Sequence, residues 1–182
     1  MVDFSQRIVA ETNKNDSVRL VIKVGTITVE TSLLSGHTAL NLDVKGRVAI
    51  PTRYRPYLME SASGKFFVTV HPDICLMLYP LHEWGEVHRR IMKLSNMNKK
   101  ARDLQRLIIG YAVELEMDNA GRLLLPPSLR EFASLDKHVV LIGVGNKFEL
   151  WDEKRWKDRQ NEWLGDADSE GSLSDELASL SL

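Results

Sequence analysis

The sequence of 182 residues predicts a mixed α/β fold, mainly β, in which two fused repeats interleave their strands into a small barrel around a pseudo-two-fold axis with flanking helices. Three observations predict it. First, Asp43-Val44-Lys45-Gly46-Arg47-Val48-Ala49-Ile50-Pro51-Thr52-Arg53-Tyr54-Arg55 returns 75 residues later as Asp118-Asn119-Ala120-Gly121-Arg122-Leu123-Leu124-Leu125-Pro126-Pro127-Ser128-Leu129-Arg130. Asp, Gly, Arg, Pro and the final Arg recur at equal spacing, the signature of a duplicated unit. Second, the echo resumes after a three-residue shift. Phe67-Val68-Thr69-Val70 answers to Val139-Val140-Leu141-Ile142, and Leu76, Leu78, Tyr79 and Trp84 answer to Phe148, Leu150, Trp151 and Trp156. Third, a unit of about fifty residues buries too little surface to stand alone and leaves strand edges open, so the two copies need each other.

Each unit reads as strand, turn, strand, short helix, hairpin, longer helix. Ala39-Leu40-Asn41-Leu42 alternates as a half-buried strand does. In Asp43-x-x-Gly46 the Asp side chain can accept from turn backbone while Gly takes a positive φ; Asp118 and Gly121 repeat the pattern. Arg47 starts the strand Val48-Ala49-Ile50, which Pro51 closes by withholding a donor. A short helix follows from Thr52 to Met59, with Tyr54, Leu58 and Tyr57 inward, matched by Ser128–Ala133 behind Pro126-Pro127. Gly143 and Gly145-Asn146 mark the turn of a hairpin ending Lys147-Phe148-Glu149-Leu150-Trp151. Helices are expected from Leu81 to Lys93, with Trp84, Val87, Ile91 and Leu94 on one side, and then with Ala101, Leu104, Leu107 and Ile108 inward. The last helix, Asp152 to about Leu164, has acids in its first turn and carries Trp156 and Trp163 on one stripe. The organisation is therefore an N-terminal extension (1–32), a first repeat with its helix (33–95), a connecting helix (96–111), a second repeat with its helix (112–164) and an acidic disordered tail (165–182).

Composition narrows the function. With 43% hydrophobic and 27% charged residues, collagen-like, wholly disordered and membrane-spanning chains fall away. Apolar runs such as Val139–Ile142 are far shorter than the ~20 residues of a membrane helix. Charges at Asp3, Arg7, Glu11, Lys14, Asp16 and Arg19 leave no room for the apolar stretch of a signal peptide. Cys75 is the only cysteine, so neither an internal disulfide nor a multi-cysteine metal site is expected; the chain reads as reduced and cytosolic. The net charge of −1 divides unevenly: the tail from 165 onward carries five acids and no Lys or Arg, residues 1–32 balance, and 33–164 is basic by four. A basic body with an acidic tail is compatible with a polyanionic partner.

The motif supports two readings. An Arg just past a tight turn stands where it can approach a DNA groove, and Arg suits bidentate contact with guanine or phosphate. Residues 43–55 carry Lys45, Arg47, Arg53 and Arg55 against one acid; the second copy keeps Arg122 and Arg130 but has Ala120 and Ser128 where the first has Lys45 and Arg53. The first loop should therefore contribute more electrostatic affinity. Equally, each Arg can pair with its own Asp to hold the turn. An enzymatic dyad of Asp43 and Asp118 is disfavoured, because Val44-Lys45 and Asn119-Ala120 stand where such dyads place small neighbours. His71, His82, His88 and His138 lack metal-ligand spacing, and no phosphate-cradling glycine loop or nucleophile elbow is present. Cys75 reads as a buried structural thiol. Lys99, Lys100, Arg102 and Arg106, with Arg89, Arg90 and Lys93, form basic helical faces. No cofactor, metal, membrane or small-molecule substrate is expected.

Several blocks together resemble a known family: Thr38-Ala39-Leu40-Asn41-Leu42-Asp43-Val44-Lys45-Gly46-Arg47, Pro51-Thr52-Arg53-Tyr54-Arg55, Cys75-Leu76-Met77-Leu78-Tyr79-Pro80-Leu81, Leu104-Gln105-Arg106-Leu107 and Gly145-Asn146-Lys147-Phe148-Glu149-Leu150-Trp151-Asp152. They are similar to the MraZ family of bacterial transcriptional regulators, encoded at the head of the division and cell wall gene cluster. The Asp-x-x-Gly-Arg-x-x-x-Pro core also resembles the wider AbrB-like swapped-hairpin family, whose DNA-binding domain is normally a dimer; here both halves are fused. The resemblance implies a swapped-hairpin barrel and a sequence-specific double-stranded DNA-binding repressor of its own operon. It further implies a ring-like homo-oligomer on short direct promoter repeats, in the cytoplasm at the nucleoid. The family's Asp-x-x-x-Arg maps onto Asp43 with Arg47 and Asp118 with Arg122, Asp orienting the turn and Arg meeting DNA. The family's early Arg is Ser35 here, and Leu33-Leu34-Ser35-Gly36 stands where its chains begin, so residues 1–32 are expected to be a lineage-specific extension or a misplaced start. The alternative within the same fold is an antitoxin-like module whose acidic tail binds a protein partner.

Overall fold

The computed structural model describes residues 7–12, 18–24, 27–32, 34–95 and 97–167, with side chains from 34 to 163. Three strands, β1 (Arg7–Thr12), β2 (Val18–Val24) and β3 (Ile27–Ser32), form an antiparallel sheet that pairs with no other described strand. These strands lie in the stretch expected to be a lineage-specific extension or a misplaced start, and Val18-Arg19-Leu20 and Ile27-Thr28-Val29 alternate as strands do.

From Leu34 onward the two repeats exchange strands. β4 (Leu34–Asn41) of the first repeat pairs with β10 (His138–Gly145) of the second. Reciprocally, β8 (Val113–Glu116) of the second pairs with β6 (Lys65–His71) of the first. β7 (Cys75–Pro80) and β11 (Phe148–Asp152) meet in the centre, giving the order β4-β10-β11-β7-β6-β8. Two short strands, β5 (Arg47–Ala49) and β9 (Arg122–Leu124), make a separate antiparallel ribbon. In the ribbon Val48 pairs with Leu123, its own equivalent in the other repeat; in the sheet Met77 pairs with Glu149, again its own equivalent. A pseudo-two-fold axis therefore runs through both pairs.

Strand pairing does not close the expected barrel. Among the described residues the sheet is open, because its outer strands β4 and β8 do not pair with each other and β5 and β9 pair only as a ribbon. The core lies between the two layers. Val48, Ile50, Leu123 and Leu125 from the ribbon pack on Phe66, Val68, Val70, Leu76, Leu78, Val139, Leu141, Phe148 and Leu150 from one sheet face. The helices over this core are the single 3-10 turn Thr52–Tyr54 with α1 (Arg55–Ala62), contributing Tyr54 and Leu58, and α4 (Pro127–Phe132), contributing Leu129.

The opposite face of the sheet carries the longer helices. α2 (Leu81–Met92) and α3 (Lys99–Gly110) cover Phe67, Met77 and Tyr79 with Trp84 and Ile108, and the Phe67 and Trp84 rings stack at 5.1 Å. Thr69, the buried polar residue of this face, donates its hydroxyl to Ile108 O at 2.5 Å and ties α3 to β6. Asn98 caps α3 by accepting from Lys100 N. Leu94 and Leu104, expected inward, are both 37% exposed. α5 (Glu153–Ala167) starts on Asp152, whose carboxylate accepts from Lys154 N and Arg155 N, and it runs two residues past Gly165. The rest of the expected tail, 168–182, lies outside the described residues. Trp151, Trp156 and Trp163 form a ladder with ring centroids 5.5 and 5.4 Å apart.

The register explains the three-residue shift and corrects one correspondence. Between the turn and the hairpin the first repeat is two residues longer: α1 runs to Ala62 and is capped by left-handed Ser63, whereas α4 ends at Phe132 with Ala133 as its cap and left-handed Ser134 next. The hairpin β6–β7 closes through residues 72–74 with Ile74 at φ 61°, whereas β10–β11 closes through Gly145-Asn146. That one-residue difference makes Phe66 and Val68, not Phe67 and Thr69, the equivalents of Val139 and Leu141. A slip of one residue exchanges the faces of a strand, which is why Phe67 packs under α2 while Val139 lies in the main core.

Close strand approach leaves one position without tolerance. Gly143 faces Gly36 across β4–β10, and a Cβ there would stand 2.6 Å from Leu34 C and Ser35 N. Both are backbone atoms that cannot rotate away. Gly143→Ala is expected to cost about 1–3 kcal/mol, read as a lower urea midpoint.

Candidate nucleic-acid interface

The two turns are built alike, from local chemistry. In the first, Asp43 Oδ1 accepts from Lys45 N and Arg47 N, both at 2.9 Å, and its Oδ2 takes the Arg47 Nε proton at 2.7 Å. Gly46 N donates to Asp43 O at 2.8 Å, and Asp43 N to Arg47 O at 2.9 Å. In the second, Asp118 Oδ1 accepts from Ala120 N at 2.9 Å and Arg122 N at 3.0 Å, while Oδ2 takes Arg122 Nε at 2.9 Å and Nη2 at 2.7 Å. Gly121 N donates to Asp118 O at 2.8 Å. Gly46 and Gly121 have φ of 81° and 72°, which Gly adopts without strain. Each Asp is thus a turn organiser and the partner of its own Arg.

Strand pairing brings the two turns onto one ribbon. Ile50 N donates to Gly121 O and Leu125 N to Gly46 O, both at 2.9 Å, so each turn is stitched to the end of the other repeat's strand. The Arg47 and Arg122 side chains remain 28% and 36% accessible. Among the described residues, the terminal guanidinium nitrogens of Arg47 make no further hydrogen bond. At the tips, Val44 is fully exposed and Lys45 is exposed, whereas the second turn offers exposed Asn119 and Ala120. The scaffold is symmetric; its surface chemistry is not.

The other sequence candidates divide. Arg53 is exposed but leans toward β4, donating from Nη2 to Thr38 Oγ1 at 2.9 Å and to Tyr54 Oη at 2.8 Å. Tyr54 in turn donates to Ser35 O. Arg55 and Arg130 are half-buried, and each donates its Nε proton to the end of its own strand, to Ile50 O at 2.7 Å and Leu125 O at 3.2 Å. The structure therefore brings Lys45, Arg47 and Arg122 together with the turns and gives Arg53, Arg55 and Arg130 protein partners. Cys75 is fully buried and burial pushes its thiol up, as suits a structural residue.

Electrostatics follow the hydrogen bonds. The Arg122 guanidinium and the turn amides hold Asp118 down at about 2, from an ordinary 3.8. Asp43 is lowered too, first by the Arg47 amide and then by its side chain, while Asp118 raises Arg122. Two depressed carboxylates are the reverse of an acid–base dyad, in which one must be raised. The sign of the linkage is fixed by that direction: the ionised turn favours the folded state above the unfolded value near 3.8, and this contribution is lost as pH falls toward about 2. Urea midpoints of native protein should therefore fall more steeply between pH 4 and 2 than those of Asp118→Asn, with parallel curves from pH 5 to 8.

The family model described as "MraZ protein, putative antitoxin-like" matches twice, over residues 33–107 and 108–172, one match per repeat. Curated relatives named Transcriptional regulator MraZ come from Thioalkalivibrio sulfidiphilus, Methylococcus capsulatus and Klebsiella pneumoniae subsp. pneumoniae. They are 49%, 51% and 50% identical over 150, 150 and 157 residues, spanning 82%, 81% and 82% of this chain and 100%, 99% and 100% of theirs. Their name describes transcriptional regulators, a class that is not enzymatic. No described helix is long and apolar enough to cross a membrane. With a duplicated Asp-x-x-Gly-Arg turn, two tandem family matches and relatives identical at half their positions, the chain belongs to the MraZ family.

Proposed function

We propose that this chain is a sequence-specific DNA-binding repressor of its own division and cell wall operon. In this reading it acts in the cytoplasm at the nucleoid, as a ring-like homo-oligomer on short direct promoter repeats. The observation that carries the reading is the pair of equivalent turns on one ribbon, each presenting an Arg held by its own Asp. Such an Arg is pre-oriented, so less rotamer freedom is lost when it meets a guanine edge or a phosphate. Asp43 and Asp118, with Gly46 and Gly121, orient the turns; Arg47 and Arg122 contact DNA, and Lys45 and Arg53 add phosphate attraction on the first side. The inequivalent tips, Val44-Lys45 against Asn119-Ala120, suit a site without internal two-fold symmetry, as a direct repeat is. Several subunits engaging successive repeats raise affinity through effective concentration.

Fluorescence anisotropy with the duplex upstream of the chain's own gene, against a scrambled duplex at rising salt, tests the reading. Tighter binding to the native duplex, with log K falling by about 0.9 per phosphate contact for each log unit of salt, is expected. Equal binding to both duplexes would contradict it. Lys45→Ala should weaken both duplexes alike and flatten the salt dependence by about 0.9.

A further inference from the structure

We propose that Arg55 and Arg130 are positioning residues, each holding the turn of the opposite repeat in place, and that neither contacts DNA. The inference rests on the turns being the DNA-reading elements. Both arginines fold back onto protein: Arg55 Nε donates to Ile50 O at 2.7 Å and Arg130 Nε to Leu125 O at 3.2 Å. Their guanidinium groups then lie against the far repeat's turn glycine. A Cβ on Gly121 would clash with Arg55 Nε and Cζ and stand 2.7 Å from its Nη1. A Cβ on Gly46 would stand 2.7 Å from Arg130 Nε and 2.8 Å from its Cζ.

The turn glycines therefore serve two needs at once. They take the positive φ of the turn, and they leave room for an arginine arriving from the other repeat. Each contact closes a short circuit. Ile50 N donates to Gly121 O, Ile50 O accepts from Arg55, and the Arg55 guanidinium covers Gly121; Leu125, Arg130 and Gly46 form the second circuit. Pulling either arginine out toward a phosphate would break its carbonyl bond and uncover the glycine. Both circuits are related by the same pseudo-two-fold axis, and nothing local to either turn supplies them. Lysine cannot take the place of these residues, because it has neither an Nε–H at that point of the side chain nor a planar face.

Hydrogen–deuterium exchange of the full chain without DNA tests the contact itself. Arg55→Lys should raise exchange about tenfold in the 118–125 segment while 43–50 keeps its native rate. Arg130→Lys should do the reverse. The two variants are run in parallel, so one folded variant suffices. Unchanged exchange in the opposite turn, or an equal rise in both turns and the core strands, would overturn the proposal. The second arm is a double-mutant cycle in DNA affinity. The loss caused by Arg55→Lys should vanish in an Arg122→Ala background and persist in Arg47→Ala. Additivity with Arg122→Ala, together with a salt dependence shallower by about 0.9 for Arg55→Ala, would mark a direct phosphate contact instead. If native protein does not discriminate promoter from scrambled duplex, the DNA reading fails and the exchange arm alone judges the positioning contact.

Discussion

Arg47→Ala is expected to abolish discrimination between the promoter duplex and a scrambled one. A bidentate Arg–base contact contributes about 1–3 kcal/mol of discrimination, and every subunit of an assembly on repeated sites would lose it together. The substitution also leaves Asp43 without the guanidinium that donates to Oδ2 and balances its charge, although the Lys45 and Arg47 amides still donate to Oδ1. Fold stability should change little, since the side chain is partly accessible and its ion pair is solvated. Arg122→Ala should act in the same direction with a smaller effect on total affinity, because the second tip has Ala120 where the first has Lys45. Anisotropy titrations paired with urea denaturation separate the two quantities. A large affinity loss with an unchanged urea midpoint is expected.

The largest stability effect is expected on the axis. Leu123 is fully buried in the ribbon against Val48, its counterpart in the other repeat, and each lies over the sheet core. Leu123→Ala opens a cavity where both repeats meet, and neither can collapse into it without shifting the paired strand. The cost should be about 2–5 kcal/mol. The next residue is the control: Leu124 is 56% exposed, so Leu124→Ala should stay within about 0.5 kcal/mol. Urea denaturation of the two variants reads the ribbon's alternation directly. A large loss from Leu124→Ala with a small one from Leu123→Ala would mean that the strand faces the other way, and similar losses would mean that the two positions do not alternate.

The parts of the molecule legible in sequence are those decided by neighbouring residues. The Asp-x-x-Gly-Arg turns were readable because their chemistry closes within five residues, and the hydrogen bonds of the two copies match almost atom for atom. The short helices after Pro51 and Pro126, the Asp152 helix start and the buried Cys75 followed from equally local signals. What depended on distance was not readable. Whether the outer strands β4 and β8 meet is a matter of sheet geometry, and the repeat pattern says nothing about it. The correspondence of β6 with β10 was missed by one residue because the two hairpin loops differ by one, and period-two patterns do not reveal loop length. Arg55 and Arg130 looked like further members of a basic cluster; their partners, Gly121 and Gly46, lie in the other repeat. The identical spacing of the final Arg in both copies was the available signal. It reflects a reciprocal contact as readily as a repeated binding site.

The central claim is that DNA lies against the ribbon turns. Ultraviolet cross-linking of the full chain to its promoter duplex, followed by mass spectrometry of the joined peptides, tests it most directly. The account predicts cross-links in peptides covering 43–55 and 118–130. Cross-links confined to the basic faces of α2 and α3, around Arg89, Arg90, Lys99, Lys100 and Arg106, would contradict it.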